Sequence, residues 1–137
     1  MQPEDAGKVE RRWRAALLAV VALGLIFRVV YFAQGQDLWL DEATVALNIV
    51  QRDFAGLAKP LDYGQVAPMG FLWLTRAAVL ALGENAYSLR LLPLLAGSAA
   101  LLLFWRLARF ALPQSPGAQL FALWIFSFND ILVRYSA

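Results

Sequence analysis

The feature that most constrains this chain is an apolar run from Ala15 to Ala33, broken once by Arg28 and preceded by Lys8, Arg11, Arg12 and Arg14. Its length is that of a segment that crosses a bilayer. It exceeds the apolar core of a signal peptide, about 7–15 residues. Arg28 costs roughly 3 kcal/mol at the membrane midplane, whereas about eleven strongly apolar neighbours each contribute about 0.5 kcal/mol in favour, so insertion wins. Residues 15–33 are therefore expected to form a transmembrane helix, with the basic amino end (residues 1–14) in the cytoplasm.

The rest of the sequence fits that expectation. Of its 137 residues 61% are hydrophobic and 16% charged, against about half and a quarter in soluble domains. A chain this short has little interior in which to hide such a surplus. A net charge of +2 is too small for a nucleic-acid binder. With no cysteine, disulfides, thiol catalysis and thiolate metal sites are excluded. With no histidine, so are Ser-His-Asp triads and His-ligated metals. Chemistry is left to carboxylates, Lys/Arg, Tyr and backbone.

The expected fold is an all-α integral membrane protein with three transmembrane helices, about 15–33, 89–107 and 118–134. A large outer loop, residues 34–88, carries two juxtamembrane surface helices, about 42–54 and 68–83. In the first, Ala43, Ala46, Leu47, Val50 and Phe54 recur at helical spacing with Thr44, Asn48, Gln51 and Arg52 opposite, and Asp41 stands at the N-cap position. The second measures about 24 Å as a helix, short of the roughly 30 Å hydrocarbon core. Arg76 cancels most of its insertion energy. The short loop 113–117 is bordered by Arg106 and Arg109 and by no acid, which puts it in the cytoplasm. Segment 68–83 should then lie on the surface or be re-entrant, because an even number of crossings must precede Arg106.

Within the outer loop, Asp41 and Glu42 follow the apolar Leu38-Trp39-Leu40. Such a pair can cap a helix and favour its dipole, or place a carboxylate where it takes a proton from a hydroxyl or amine. Asp62, Tyr63 and Gln65 lie in a turn-rich stretch ending at Pro68, before the aromatic Phe71-Leu72-Trp73. That stretch reads equally as an interfacial loop or as one wall of a site. Arg28, Arg76 and Arg90 read as snorkelling cations or as donors to a lipid-linked phosphate. Asp130 and Arg134, four apart, read as an intrahelical ion pair.

Leu38-Trp39-Leu40-Asp41-Glu42-Ala43, the Asp62–Pro68 loop, Phe71-Leu72-Trp73-Leu74, Leu89-Arg90-Leu91-Leu92-Pro93 and Val133-Arg134-Tyr135-Ser136-Ala137 occur in the order seen in one family. Over about residues 15–137 the chain resembles the amino-terminal part of a GT-C superfamily glycosyltransferase. The likeness is to the family 39-like kind, which includes protein O-mannosyltransferases and lipid A aminoarabinose transferases. The resemblance implies a multi-pass enzyme of the bacterial inner membrane. It would transfer a sugar from a polyprenyl-phosphate donor to a glycan, lipid or protein acceptor at the outer face. Asp41 matches the catalytic aspartate that activates or positions the acceptor, and Glu42 the acid beside it. The family's lysine before paired prolines is Ala67 here, and Met69 replaces the second proline. Arg28 and Arg76 are the substitutes for that phosphate contact, with Asp62, Tyr63 and Gln65 as further substrate-binding residues. No metal ligand set is indicated, and a divalent metal stays open.

Family members continue into further spans, so this chain is expected to be an inactive leading portion. The alternative is a non-catalytic membrane scaffold or subunit, and a transporter fragment is a weaker third reading. The topology has a direct test. Single cysteines at positions 36, 86 and 115 should react with an impermeant reagent from outside at the first two only. Labelling at 115 but not at 86 would contradict it.

Overall fold

The computed structural model describes residues 3–35 and 38–136; position 36, Asp37 and Ala137 lie outside the described residues. Among the described residues all regular structure is helical. The order is α1 (Pro3–Ala33), α2 (Leu40–Gln51), α3 (Met69–Leu82), α4 (Ala86–Ala111), α5 (Pro116–Phe128) and α6 (Asp130–Arg134). Single 3₁₀ turns at Gly56–Ala58 and Asp62–Gly64 lie between α2 and α3.

Two helices are long and apolar enough to cross a membrane, Gly7–Ala33 within α1 and Ala86–Ala111. Only 28% and 17% of their most apolar stretches are buried. The core helix of a soluble domain turns its apolar stripe inward instead. Helix α1 continues through the basic tail, where Arg14 donates to Glu10 at 2.6 Å one turn earlier. Such i,i+4 pairs and good helix-forming residues extend a helix into water. Helix α4 starts earlier than its apolar run suggests, because Asn85 and Ser88 cap it reciprocally. Ser88 N–H donates to Asn85 Oδ1 (3.0 Å) and Asn85 N–H to Ser88 Oγ (3.3 Å).

The expected third span, 118–134, is not one helix. It divides at Asn129, whose ψ of 121° is extended and whose side chain accepts the Leu132 N–H to start α6. A short polar side chain that bonds locally competes with helix continuation in this way. With 13 residues, α5 is about 20 Å long. The Asp130–Arg134 pair forms as expected, at 2.9 Å.

Contacts divide the chain into two compact units, one of residues up to Tyr31 with those from Ala96 onward, the other Phe32–Leu95. In the first, Leu17, Val20 and Val21 of α1 pack with Leu101 of α4 and Leu123 of α5. Phe104 stacks on Phe126 at 4.3 Å between ring centres. Close approach needs small residues. A Cβ on Gly24 would lie 2.9 Å from Leu101 Cδ2 and from Ser127 Cβ, and one on Gly97 would overlap the Ser136 side chain. Small residues let helices pack backbone to backbone in this manner.

In the second unit, Ile49 of α2, Leu57, and Leu72 and Val79 of α3 form a separate small core. The buried face of α2 is Ala46, Asn48 and Ile49. Leu47 is exposed, which corrects the stripe read from the sequence. Helix α2 also ends earlier than expected, at Gln51, with Arg52 as its C-cap. Phe54 lies beyond it, edge-on to Trp73.

Gly97→Ala should lower the thermal midpoint of the chain in detergent, by the equivalent of about 1–3 kcal/mol of overpacking. An unchanged midpoint would contradict the α4 contact with the carboxyl-terminal turn.

Candidate active site

Helix α2 begins because its first turn is acidic and its orphan N–H groups are met. Its N-cap is Trp39 and not Asp41. Glu42 reaches back so that its Oε2 accepts the Trp39 N–H at 3.2 Å. This is the acidic half of a capping box. Asp41 and Glu42 thus stand inside the first turn, where the helix dipole favours negative charge.

The two acids have different surroundings. Glu42 Oε2 also accepts from Arg90 Nη2 of α4 at 3.1 Å, and Arg90 is only 8% exposed. The Asp41 side chain is exposed and has no hydrogen-bond partner among the described residues. Only its backbone carbonyl is engaged, by Thr44 Oγ1 at 2.8 Å. An exposed carboxylate with open lone pairs can accept a proton or hydrogen bond from a solute. One already held by an arginine and a backbone N–H has less capacity left.

Asp62, Tyr63 and Gln65 form a second feature of the same unit, tied to the other half of α2. Asn48, 2% exposed, donates to Thr44 O (2.9 Å) and accepts the Asp62 N–H (2.9 Å). Arg52 Nη2 pairs with Asp62 Oδ2 at 2.7 Å, and Arg52 Nη1 donates to Gly56 O and Pro60 O. Tyr63 has φ 62°, ψ 22°, left-handed for a non-glycine residue, at a cost of about 1–2 kcal/mol. The residue is 66% exposed. Gln65 is half-buried, its backbone N–H closing the turn on Asp62 O. Asn48 is seven residues from Asp41, about 10 Å along the helix axis. The Asp62 turn is therefore anchored about two helical turns away from the acid pair. An open depression beside it is lined by Gln51, Arg52, Asp53, Gly56, Lys59 and Pro60.

The arginines expected to hold phosphate are placed otherwise. Arg76 Nη1 donates to Val50 O at 3.0 Å, a carbonyl left open by the end of α2, and its buried Nε has no partner. Arg28 belongs to the other unit and is 1% exposed. Its Nη1 donates to Gly24 O (3.0 Å) and Ser127 O (3.1 Å), and its Nη2 to Phe126 O (3.3 Å). The break at Asn129 frees the last two of these carbonyls from their helical partners. Arg28 is thus engaged with backbone instead of presented at a surface.

Sequence reasoning did not find two determinants, the Glu42–Arg90 pair and the inward Asn48. Arg90 differed from the other arginines in no local way, and its pairing joins residues 48 apart. Helical spacing puts Asn48 on the polar side, and side-chain polarity alone cannot show its buried bond to the distant Asp62 N–H. Among the described residues no group of three or more acids is placed to hold a metal ion. No protein-family model, curated protein or solved structure matches the chain.

Asn48→Leu keeps the volume but removes the acceptor for the Asp62 N–H. It should cost about 1–3 kcal/mol in thermal unfolding and speed proteolysis between residues 59 and 66. A surface asparagine would change stability by less than about 0.5 kcal/mol, and that result would contradict the placement.

Proposed function

We propose that this chain is the leading part of a membrane glycosyltransferase of the GT-C, family 39-like kind, anchored in the bacterial inner membrane with its amino terminus in the cytoplasm. The finer topology proposed is three membrane passages, the third made by α5 and α6 together. Helices α2 and α3 then rest at the outer face as juxtamembrane helices. One observation supports the catalytic reading most: an exposed carboxylate, Asp41, without a side-chain partner among the described residues, beside an acid, Glu42, one of whose oxygens is held by Arg90 and the Trp39 N–H.

In the proposed reaction, Asp41 takes the proton of an acceptor hydroxyl or amine. The acceptor oxygen or nitrogen attacks the anomeric carbon of a polyprenyl-phosphate sugar from the face opposite the phosphate. The bond between sugar and phosphate breaks with its electron pair leaving on the polyprenyl phosphate, and anomeric configuration inverts. A carboxylate in this role contributes about 10²–10⁴-fold. Asp62, Tyr63 and Gln65 are proposed to line the approach, Tyr63 because its left-handed backbone holds an aromatic ring in solvent. Strained residues of this sort concentrate at functional positions. Arg28 and Arg76 are occupied by carbonyls, which favours a structural role for both over donor-phosphate binding.

The rival, a non-catalytic membrane scaffold, differs in what it asks of Asp41. Within the longest open reading frame that contains this chain, Asp41→Asn should reduce sugar transfer from polyprenyl-phosphate donors by at least 100-fold at unchanged expression. Near-normal transfer would remove Asp41 from the chemistry and favour the scaffold.

A further inference from the structure

The acid pair is treated unequally by its surroundings, and the residue responsible is Arg90. We propose that Arg90 is a positioning residue. It braces the first turn of α2 through Glu42, so that Asp41 is the acid presented to substrate and Glu42 is withdrawn from catalysis. The inference rests on the catalytic reading of Asp41 and assigns within it a division of labour.

Three observations carry it. Arg90 is nearly buried, on α4, and places Nη2 3.1 Å from Glu42 Oε2. That same oxygen accepts the Trp39 N–H at 3.2 Å, so one atom joins the N-cap of α2 to a helix remote in sequence. The neighbouring Asp41 side chain is exposed and bonds to nothing among the described residues.

Chemistry explains why such a brace is useful. Helix ends fray, and the first turn of a short helix is its least defined part. A catalytic group must be held within about 0.5 Å of its working position by neighbours whose own rotamers are fixed. A half-buried carboxylate bonded to both a guanidinium and a backbone N–H supplies that restraint. The guanidinium also balances one of two adjacent negative charges, so Asp41 does not face an unneutralised neighbour. Removing Arg90 takes from Glu42 the guanidinium that holds it, and removing the Glu42 charge weakens the same 3.1 Å contact from the other side. The two losses should converge on the same turn.

The test is amide hydrogen exchange of this chain in lipid nanodiscs, which needs no substrate. Arg90→Met should speed exchange of the Ala43 amide, which bonds to Trp39 O, by tenfold or more, with little change at Leu72–Val79 of α3. Glu42→Gln should do the same, and the double variant no more than either alone. Arg90→Lys should recover most of the protection. Unchanged exchange in Arg90→Met, or equal loosening of α2 and α3, overturns the brace and leaves the role of Asp41 standing. A first turn loosened as predicted supports the brace, even where Asp41→Asn retains transfer and the catalytic reading falls.

Discussion

A cation in apolar surroundings must be given oxygen atoms, and in this chain the carbonyls left open at helix ends supply several of them. Arg28, inside the apolar stretch of α1, takes the carbonyls of Phe126 and Ser127 that the break at Asn129 leaves open. Arg76 takes Val50 O just beyond the last intrahelical bonds of α2. Arg52 gathers Gly56 O, Pro60 O and the Asp62 carboxylate, folding the loop back on α2. Cations are favoured at the negative end of a helix by its dipole, and the bonds of Arg28 and Arg76 also satisfy carbonyls left open where a helix ends. Arg90 alone of the four is directed to the start of a helix, and there it meets an acid. That exception draws attention to the first turn of α2.

The pattern gives the second unit a consistent logic. Its apolar core is small, so much of its definition comes from polar fasteners at fixed points, Asn48 to Asp62, Arg52 to Asp62, Arg76 to Val50 and Arg90 to Glu42. Removing one partner of such a bond costs more than forming it contributes, because the other is left buried and unmet. Several exposed charged or polar groups stand outside this scheme, among them Asp41, Lys59, Glu84 and the Tyr63 hydroxyl. In the proposed reading two of them, Asp41 and Tyr63, face substrate.

Much of the fold was legible because its strongest signals are lengths and runs. The apolar stretch 15–33 and the run from Leu89 lie within α1 and α4, the two helices able to cross a membrane, and the 68–83 segment is the helix Met69–Leu82. Their ends were less legible. Helix α1 gained its basic tail through i,i+4 pairing, and the last segment was split by an asparagine whose preference for a cap is only expressed in context. The acid pair was found, but not the difference between its members. That difference depends on Arg90, and hydropathy has no means of pairing residues so far apart. The carbonyl partners of Arg28 and Arg76 are not legible in the sequence, because open carbonyls at helix ends are invisible to side-chain patterns.

The central claim is that α2 displays Asp41 at the outer membrane surface. The most direct measurement is the reactivity of a single cysteine replacing Asp41 toward a charged, membrane-impermeant thiol reagent applied to intact spheroplasts. The background is clean, since the chain has no other cysteine. Rapid labelling without permeabilisation is the result expected. Labelling only after the membrane is opened would place Asp41 on the cytoplasmic side, where the proposed transfer cannot occur.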